Sequence, residues 1–119
     1  MSQPIPQREQ EILLAKLGQR ALERMLQFKK YDGSFEIKPE TQAVFMRFLE
    51  QMNFRPSVDP SIFLSSHGEL EIAWNDAEKR AVQLVFSPEG ILVFHEAAKR
   101  EELLPHSAYR TIAAEFSHI

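Results

Sequence analysis

The sequence predicts an α+β domain: two N-terminal helices packed on a four-stranded antiparallel meander, with a C-terminal helix. Three observations carry this reading. Apolar residues recur at three- and four-residue spacing before position 53 and again after 105, they alternate between Ser61 and Glu96, and turn signals cut that alternating tract at near-regular intervals. At 119 residues the whole chain, 1–119, fits a single domain that can bury a core without disulfide or metal staples.

After a polar lead with Pro4 and Pro6, the residues Leu14, Leu17, Ala21, Met25 and Phe28 share one side of a helix from about Gln7 to Phe28. Opposite them Lys16, Arg20 and Arg24 form a short basic stripe, which reads first as a solvated face and second as a contact for an acidic partner or nucleic acid. Gly18 sits inside this helix at a cost of roughly 1 kcal/mol relative to alanine, so close approach of another element is expected there. Tyr31-Asp32-Gly33-Ser34 has turn chemistry. A second helix starts near Pro39, which tolerates a first helical position, and presents Val44, Phe45, Phe48, Leu49 and Met52 on one face. Arg55 to Pro60, with two prolines, connects it to the strands.

In the meander, Ser66-His67-Gly68 and Pro88-Glu89-Gly90 each suit a three-residue loop ending in a glycine with positive φ. That geometry pairs Leu64 with Leu70, Ile62 with Ile72, Phe86 with Leu92 and Leu84 with Phe94. Across the middle connection at Asn75 to Lys79, matching faces puts Ile72 opposite Val82 and Leu70 opposite Leu84. The core face is then Ile62, Leu64, Leu70, Ile72, Trp74, Val82, Leu84, Phe86, Leu92 and Phe94. The opposite face carries Phe63, Glu69, Glu71, Ala73, Ala81, Gln83, Val85, Ile91, Val93 and His95. Phe63, Val85, Ile91 and Val93, framed by Glu69, Glu71 and Gln83, have the composition of a surface on which something docks. Two occupants are open: another molecule, or the third amphipathic helix at Pro105 to Phe116, whose apolar side is Tyr109, Ile112, Ala113 and Phe116.

The chain has no cysteine, which removes disulfides, thiolate nucleophiles and thiolate metal sites and fits a reducing compartment. No apolar run approaches the roughly 20 residues of a membrane span, and Met1 to Gln10 is too polar for a signal peptide. A cytoplasmic protein without a membrane partner is expected. The net charge of -3 is unevenly spread: residues 1–58 carry nine Lys/Arg against seven Asp/Glu, and residues 59–119 carry five against ten. Phosphate-backbone binding needs many clustered cations, so nucleic acid is a weak candidate here.

No phosphate loop, nucleophile elbow or histidine-based zinc motif is present. None of His67, His95, His106 and His118 stands in metal-ligand spacing, and no catalytic, metal or cofactor residue is expected. His95, near Gln83 and Glu71 on the expected outer face, reads as a cross-strand contact before it reads as an acid-base pair with Glu71. Glu69 and Glu71, about 7 Å apart along one side of a strand, read as solubilising charge.

Tyr31-Asp32-Gly33, Pro39-Glu40-Thr41, Phe48-Leu49, the run from Gly68 to Trp74, and Pro88-Glu89-Gly90-Ile91 together resemble a group of small bacterial proteins. Its members commonly carry a tryptophan-aspartate-glycine turn, then a helix and a strand meander, and many are encoded on mobile elements or near toxin-antitoxin loci. Tyr31 stands where that group has tryptophan. The resemblance implies an accessory protein of a host-parasite conflict system and assigns no site residue. With the acidic half and the mixed outer face, it leads to the expectation of a non-enzymatic protein-binding protein: an antitoxin, an immunity protein or a phage-type inhibitor of bacterial defence. Such a protein would occlude a basic partner with Phe63, Glu69, Glu71, Gln83, Val85, Ile91, Val93 and His95. A nucleic-acid accessory using Lys16, Arg20 and Arg24 is the alternative, and self-association as a homodimer through the same face is a further one.

Overall fold

The computed structural model describes residues 5–30, 37–65 and 67–119. The turn expected at Tyr31 to Ser34, and Ser66 of the first hairpin loop, lie outside them. The long first helix is divided into α1 (Gln7–Leu17) and α2 (Gln19–Lys30). Gly18 stands between them at φ +95°, a conformation that costs glycine little. Nothing lies within 4 Å of where its Cβ would be, so the glycine serves the break in the backbone and not the close packing expected of it. Its N–H donates to the carbonyls of Leu13 and Leu14, and its own carbonyl accepts from Leu22. Leu13 and Leu17 of α1 join Ala21 and Met25 of α2 in the core, while Leu14, expected to face inward, is 46% exposed.

Helix α3 (Pro39–Gln51) begins at Pro39 and buries Val44, Phe45, Phe48 and Leu49, with Met52 buried just beyond it. Its exit is held by α1, because Lys16 Nζ donates to the Met52 carbonyl at 2.9 Å. Gln42 Nε2 ties its start to Glu9 Oε1 at 2.8 Å.

The sheet has five strands in sequential antiparallel order: β1 (Ser61–Leu64), β2 (Leu70–Asn75), β3 (Ala81–Ser87), β4 (Gly90–His95) and β5 (Arg100–Leu104). The first hairpin has the expected register, with Ile62 opposite Ile72 and Leu64 opposite Leu70. Between β2 and β3 the faces match as expected, but the pairing is displaced by two residues: Ile72 meets Leu84, and Leu70 meets Phe86. The connecting loop closes on Asp76, whose N–H donates to the Arg80 carbonyl while its Oδ1 accepts from the Glu78 and Arg80 N–H groups.

The β3–β4 hairpin differs from the expected register by one residue, which exchanges the two faces of β4. Ser87 pairs with Gly90 across a two-residue loop of Pro88 and Glu89, Phe86 meets Ile91, and Leu84 meets Val93. Ser87 closes the tighter turn: its Oγ accepts the Glu89 N–H at 3.3 Å and donates to the Gly90 carbonyl at 3.2 Å. Ile91 and Val93 are therefore fully buried. Leu92 and Phe94, assigned above to the core, point to the other side and are half-buried.

Strand β5 was not expected, since Arg100-Glu101-Glu102 has no apolar alternation. It pairs with β4 from Ile91–Leu104 to His95–Arg100. Arg100 Nε donates to Glu102 Oε1 at 2.8 Å, and its guanidinium also pairs with Glu115 of the last helix. Charged side chains on an edge strand discourage pairing with another sheet.

A short 3-10 turn (His106–Ala108) leads into α4 (Tyr109–Phe116), which buries Ile112, Ala113 and Phe116. Phe116 meets the rings of Trp74 and His95 at 6.2 and 5.3 Å, so α4 packs beside α3 on the core face of the sheet. Phe86, at the centre of that face, lies 5.2 Å from Phe45 and 5.3 Å from Phe48 of α3. Helices α3 and α4 lie on this side, and α2 runs against β1 at the edge of the sheet. Among the described residues no helix is long and apolar enough to cross a membrane.

Candidate protein-binding face

The observed registers align the outward side chains into two rows across the sheet. Phe63, Glu71, Val85, Leu92 and Leu103 stand opposite one another in sequence across the five strands, and Ser61, Ala73, Gln83, Phe94 and Glu101 form the parallel row. With neighbouring strands about 4.8 Å apart, each row spans about 19 Å. Paired side chains at that separation touch, which is why Val85, Leu92 and Phe94 are half-buried although none packs on the core. Phe63 and Leu103, at the two ends of the first row, are 41% and 56% exposed. A described helix reaches these rows only at their β1 end, where Ser61 and Phe63 line a groove with α2 and the Arg24 guanidinium lies 5.5 Å from the Phe63 ring centroid.

Glu71 and Glu101 are the charged members of the two rows, and neither row contains Lys or Arg. Glu69 stands at the corner, where its carboxylate accepts from Ser65 Oγ at 3.2 Å and its N–H donates to the same oxygen. The face is thus an apolar cluster of Val85, Leu92, Phe94 and Leu103, with Glu101 beside it and Glu71 separating it from Phe63. Of the residues expected on it, Phe63, Glu71, Gln83 and Val85 are there, with Glu69 at its margin. Ile91 and Val93 are not, because the β4 slip turns them into the core, and His95 turns with them. Leu92, Phe94 and Leu103 take their places. An unbroken apolar run such as Ile91 to Phe94 carries no alternation to mark its outward side, so the sequence held no signal for two of the three.

His95 faces Asp76, not Glu71, which is on the opposite side of the sheet. Its Nε2 lies 3.5 Å from Asp76 Oδ2, with 13% and 9% of the two side chains exposed. The Arg80 backbone N–H, helped by that of Glu78 and by His95, holds the Asp76 carboxyl below its ordinary value of 3.8 against the opposing effect of desolvation. A carboxylate depressed in the folded state contributes stability above the unfolded pKa and loses it as pH falls through the folded value. Asp76→Asn should therefore lower the urea midpoint at pH 7, and the gap to wild type should close as the pH is taken below 4. A gap that stays constant across this range would show that the turn uses the shape of the side chain and not its charge.

The basic stripe is divided in use. Lys16 is bound to the end of α3, whereas Arg20 and Arg24 flank a groove between α2 and β1. His106 Nε2 lies 2.7 Å from the Ser87 carbonyl and His118 is exposed, its N–H donating to the Asn53 carbonyl. Among the described residues no three His, Asp or Glu side chains gather in a way that could hold a metal ion. Compared with protein-family models, curated proteins and solved structures, the chain matches none.

Proposed function

We propose that this protein is a protein-binding module that acts by occlusion, laying the outer face of its sheet over a basic, partly apolar surface of another protein. The observation that supports it is the two-row face: a sheet side met by a described helix only at its β1 end, where Arg24 lies by Phe63, with Val85, Leu92, Phe94 and Leu103 as an apolar cluster, Glu71 and Glu101 as its charged members, and no cation at any outward strand position. Phe63 and Leu103 have the most apolar area of the face still to lose, and since each is about half exposed, burying the rest is worth about half of the 1.5–3 kcal/mol of a fully buried side chain. Glu71 and Glu101 set orientation and speed the encounter with a positive surface. The resemblance to small proteins of conflict systems agrees with this reading, whose specific forms are an antitoxin, an immunity protein or a phage-type inhibitor.

Two copies of this face would bring acid against acid, and the nucleic-acid reading loses Lys16 to the end of α3. The test is parallel affinity capture from the native host with wild type, Val85→Asp and Leu92→Asp, each first shown to be folded. The expected result is a protein retained by wild type in a salt-dependent manner and lost with both variants. Retention of the same proteins by all three would overturn the proposal, as would light scattering that returns a dimer for wild type and a monomer for the variants.

A further inference from the structure

The two edges of the sheet differ. Strand β1 has α2 running against it, whereas β5 pairs with β4 alone and no described helix or strand runs along its other side. Which backbone groups stand open there follows from the ladder, because residues of an antiparallel pair alternate between those that exchange both backbone bonds with the neighbour and those whose N–H and C=O point away. The Leu104 carbonyl oxygen is directed at β4, where it crowds the place that a Cβ on Gly90 would take. The bonded pairs are therefore Leu104 with Ile91, Glu102 with Val93 and Arg100 with His95. Glu96, just past β4, donates its N–H to the Ala81 carbonyl on β3 and so gives His95 the same phase, turned to β5. The N–H and C=O groups left open at the edge are those of Glu101 and Leu103.

The same two residues carry the side chains that β5 adds to the outer face, at the ends of the two rows. Both are exposed, Leu103 by 56%, and Glu101 makes no ion pair among the described residues. On the helix side the guanidinium of Arg100 pairs with both Glu102 and Glu115. The one cation of the strand is thereby engaged within the chain, and the edge is acidic. In the fully overlapped antiparallel register a second copy would set Glu102 against Glu102, and like charges directly opposite are destabilising. The charges that discourage indiscriminate pairing at this edge thus also select, since what repels acid attracts a basic strand.

We infer that the edge of β5 takes up an extended segment of another protein as an added antiparallel strand, with an apolar residue opposite Leu103 and, two positions later, Lys or Arg opposite Glu101. All the existing pairs are antiparallel, and that ladder is the more stable per residue. Main-chain bonds at Glu101 and Leu103 supply affinity, and the alternate side chains supply selectivity. The added strand lengthens both rows, continuing the apolar cluster beyond Leu103. The inference rests on the protein-binding reading for the class of partner and states how that partner is held.

The test is a titration of the full chain, followed by NMR, with the end-capped peptides Thr-Val-Thr-Lys-Thr and Thr-Val-Thr-Glu-Thr and with a form of the first that is N-methylated at Val and Lys. In the inferred register Val stands opposite Leu103 and the charged residue opposite Glu101. The lysine peptide should bind saturably and, at saturation, slow hydrogen exchange at the Glu101 and Leu103 amides, while the Arg100 and Glu102 amides, already bonded to β4, stay as they were. The glutamate peptide should bind about fivefold more weakly. The N-methylated peptide, which lacks the two donors that face the edge, should not bind measurably. Glu101→Lys changes an exposed side chain without an ion pair, so it should stay folded and reverse the preference between the two charged peptides. No saturable binding, equal binding of the charged peptides, undiminished binding of the N-methylated form, or a preference unchanged in a folded Glu101→Lys would each overturn the inference. So would shifts confined to Val85 and Leu92 with the Glu101 and Leu103 amides unprotected, a result that leaves the outer face itself as the seat. The face is tested separately by Val85→Asp and Leu92→Asp, so either reading can fail without the other.

Discussion

Val93→Asp should unfold the domain, whereas Leu92→Asp, one position earlier in β4, should leave it folded. Val93 is fully buried and paired with Leu84 on the core face. A carboxylate placed there without a partner is costly, and breaking the core in this way should remove about 4 kcal/mol or more. Since domains of this size hold roughly 5–15 kcal/mol in total, such a loss consumes much or all of the margin. Leu92 points to the uncovered side, where its substitution costs a change in strand propensity and neighbouring contacts, about 1 kcal/mol. Circular dichroism and urea melts of the two variants decide the matter. The opposite result, with Leu92→Asp unfolded and Val93→Asp tolerated, would restore the register in which Leu92 and Phe94 face the helices. Leu92→Asp is also the variant that removes binding in the proposed function, so its folded state is a condition of that test.

The contrast between the two hairpins shows where physical information resides in this chain. Around the first loop, Ile62, Leu64, Leu70 and Ile72 are separated by outward residues that include Ser65, Glu69 and Glu71, and only one register buries all four apolar side chains. Around the second, Ile91, Leu92, Val93 and Phe94 are all apolar, so burial favours neither register and the choice falls to the loop. Pro88-Glu89-Gly90 fits two loops equally well, because a glycine serves either a left-handed turn residue or a close backbone neighbour. The neighbour here is β5, whose own sequence conceals it: Arg100, Glu101 and Glu102 suit an exposed edge and show no strand period. The same ambiguity applies at Gly18, where a residue expected to permit packing instead permits a break.

This also explains which parts of the candidate face were legible. Phe63, Glu71, Gln83 and Val85 lie on strands with clear alternation and were assigned to the correct side. Ile91, Val93 and His95 followed the misassigned glycine, and Leu103 belongs to the strand that gave no signal. The helix at Pro105 to Phe116 was evident from its apolar stripe, but its destination was not. A sheet with apolar side chains on both sides offers two places to dock, and contacts of Phe116 with Trp74 and His95, absent from any local pattern, select the core side.

Gly90→Ala should detach β5 and lower the melting temperature by about 10 °C. A Cβ at this position would lie 2.3 Å from the Leu104 carbonyl oxygen and 3.3 Å from its carbonyl carbon, and φ is +148°, where L side chains rarely reside. The obstructing atoms are backbone, so relief requires β5 to move away. Strain in φ accounts for roughly 1–3 kcal/mol and the forced separation for a similar amount, and a total near 3 kcal/mol corresponds to about 10 °C in a chain of this length. Hydrogen exchange should speed up selectively at Arg100 to Leu104, with the β2–β3 ladder retained. Gly18→Ala is the control, because it also has positive φ, at +95°, but meets nothing within 4 Å. It should cost only the conformational part, roughly 1–3 kcal/mol. The difference between the two glycines therefore measures the close approach of β5 itself. Equal destabilisation would mean that Gly90 is required only by its backbone angle, and the account of why this hairpin carries a glycine there would fail.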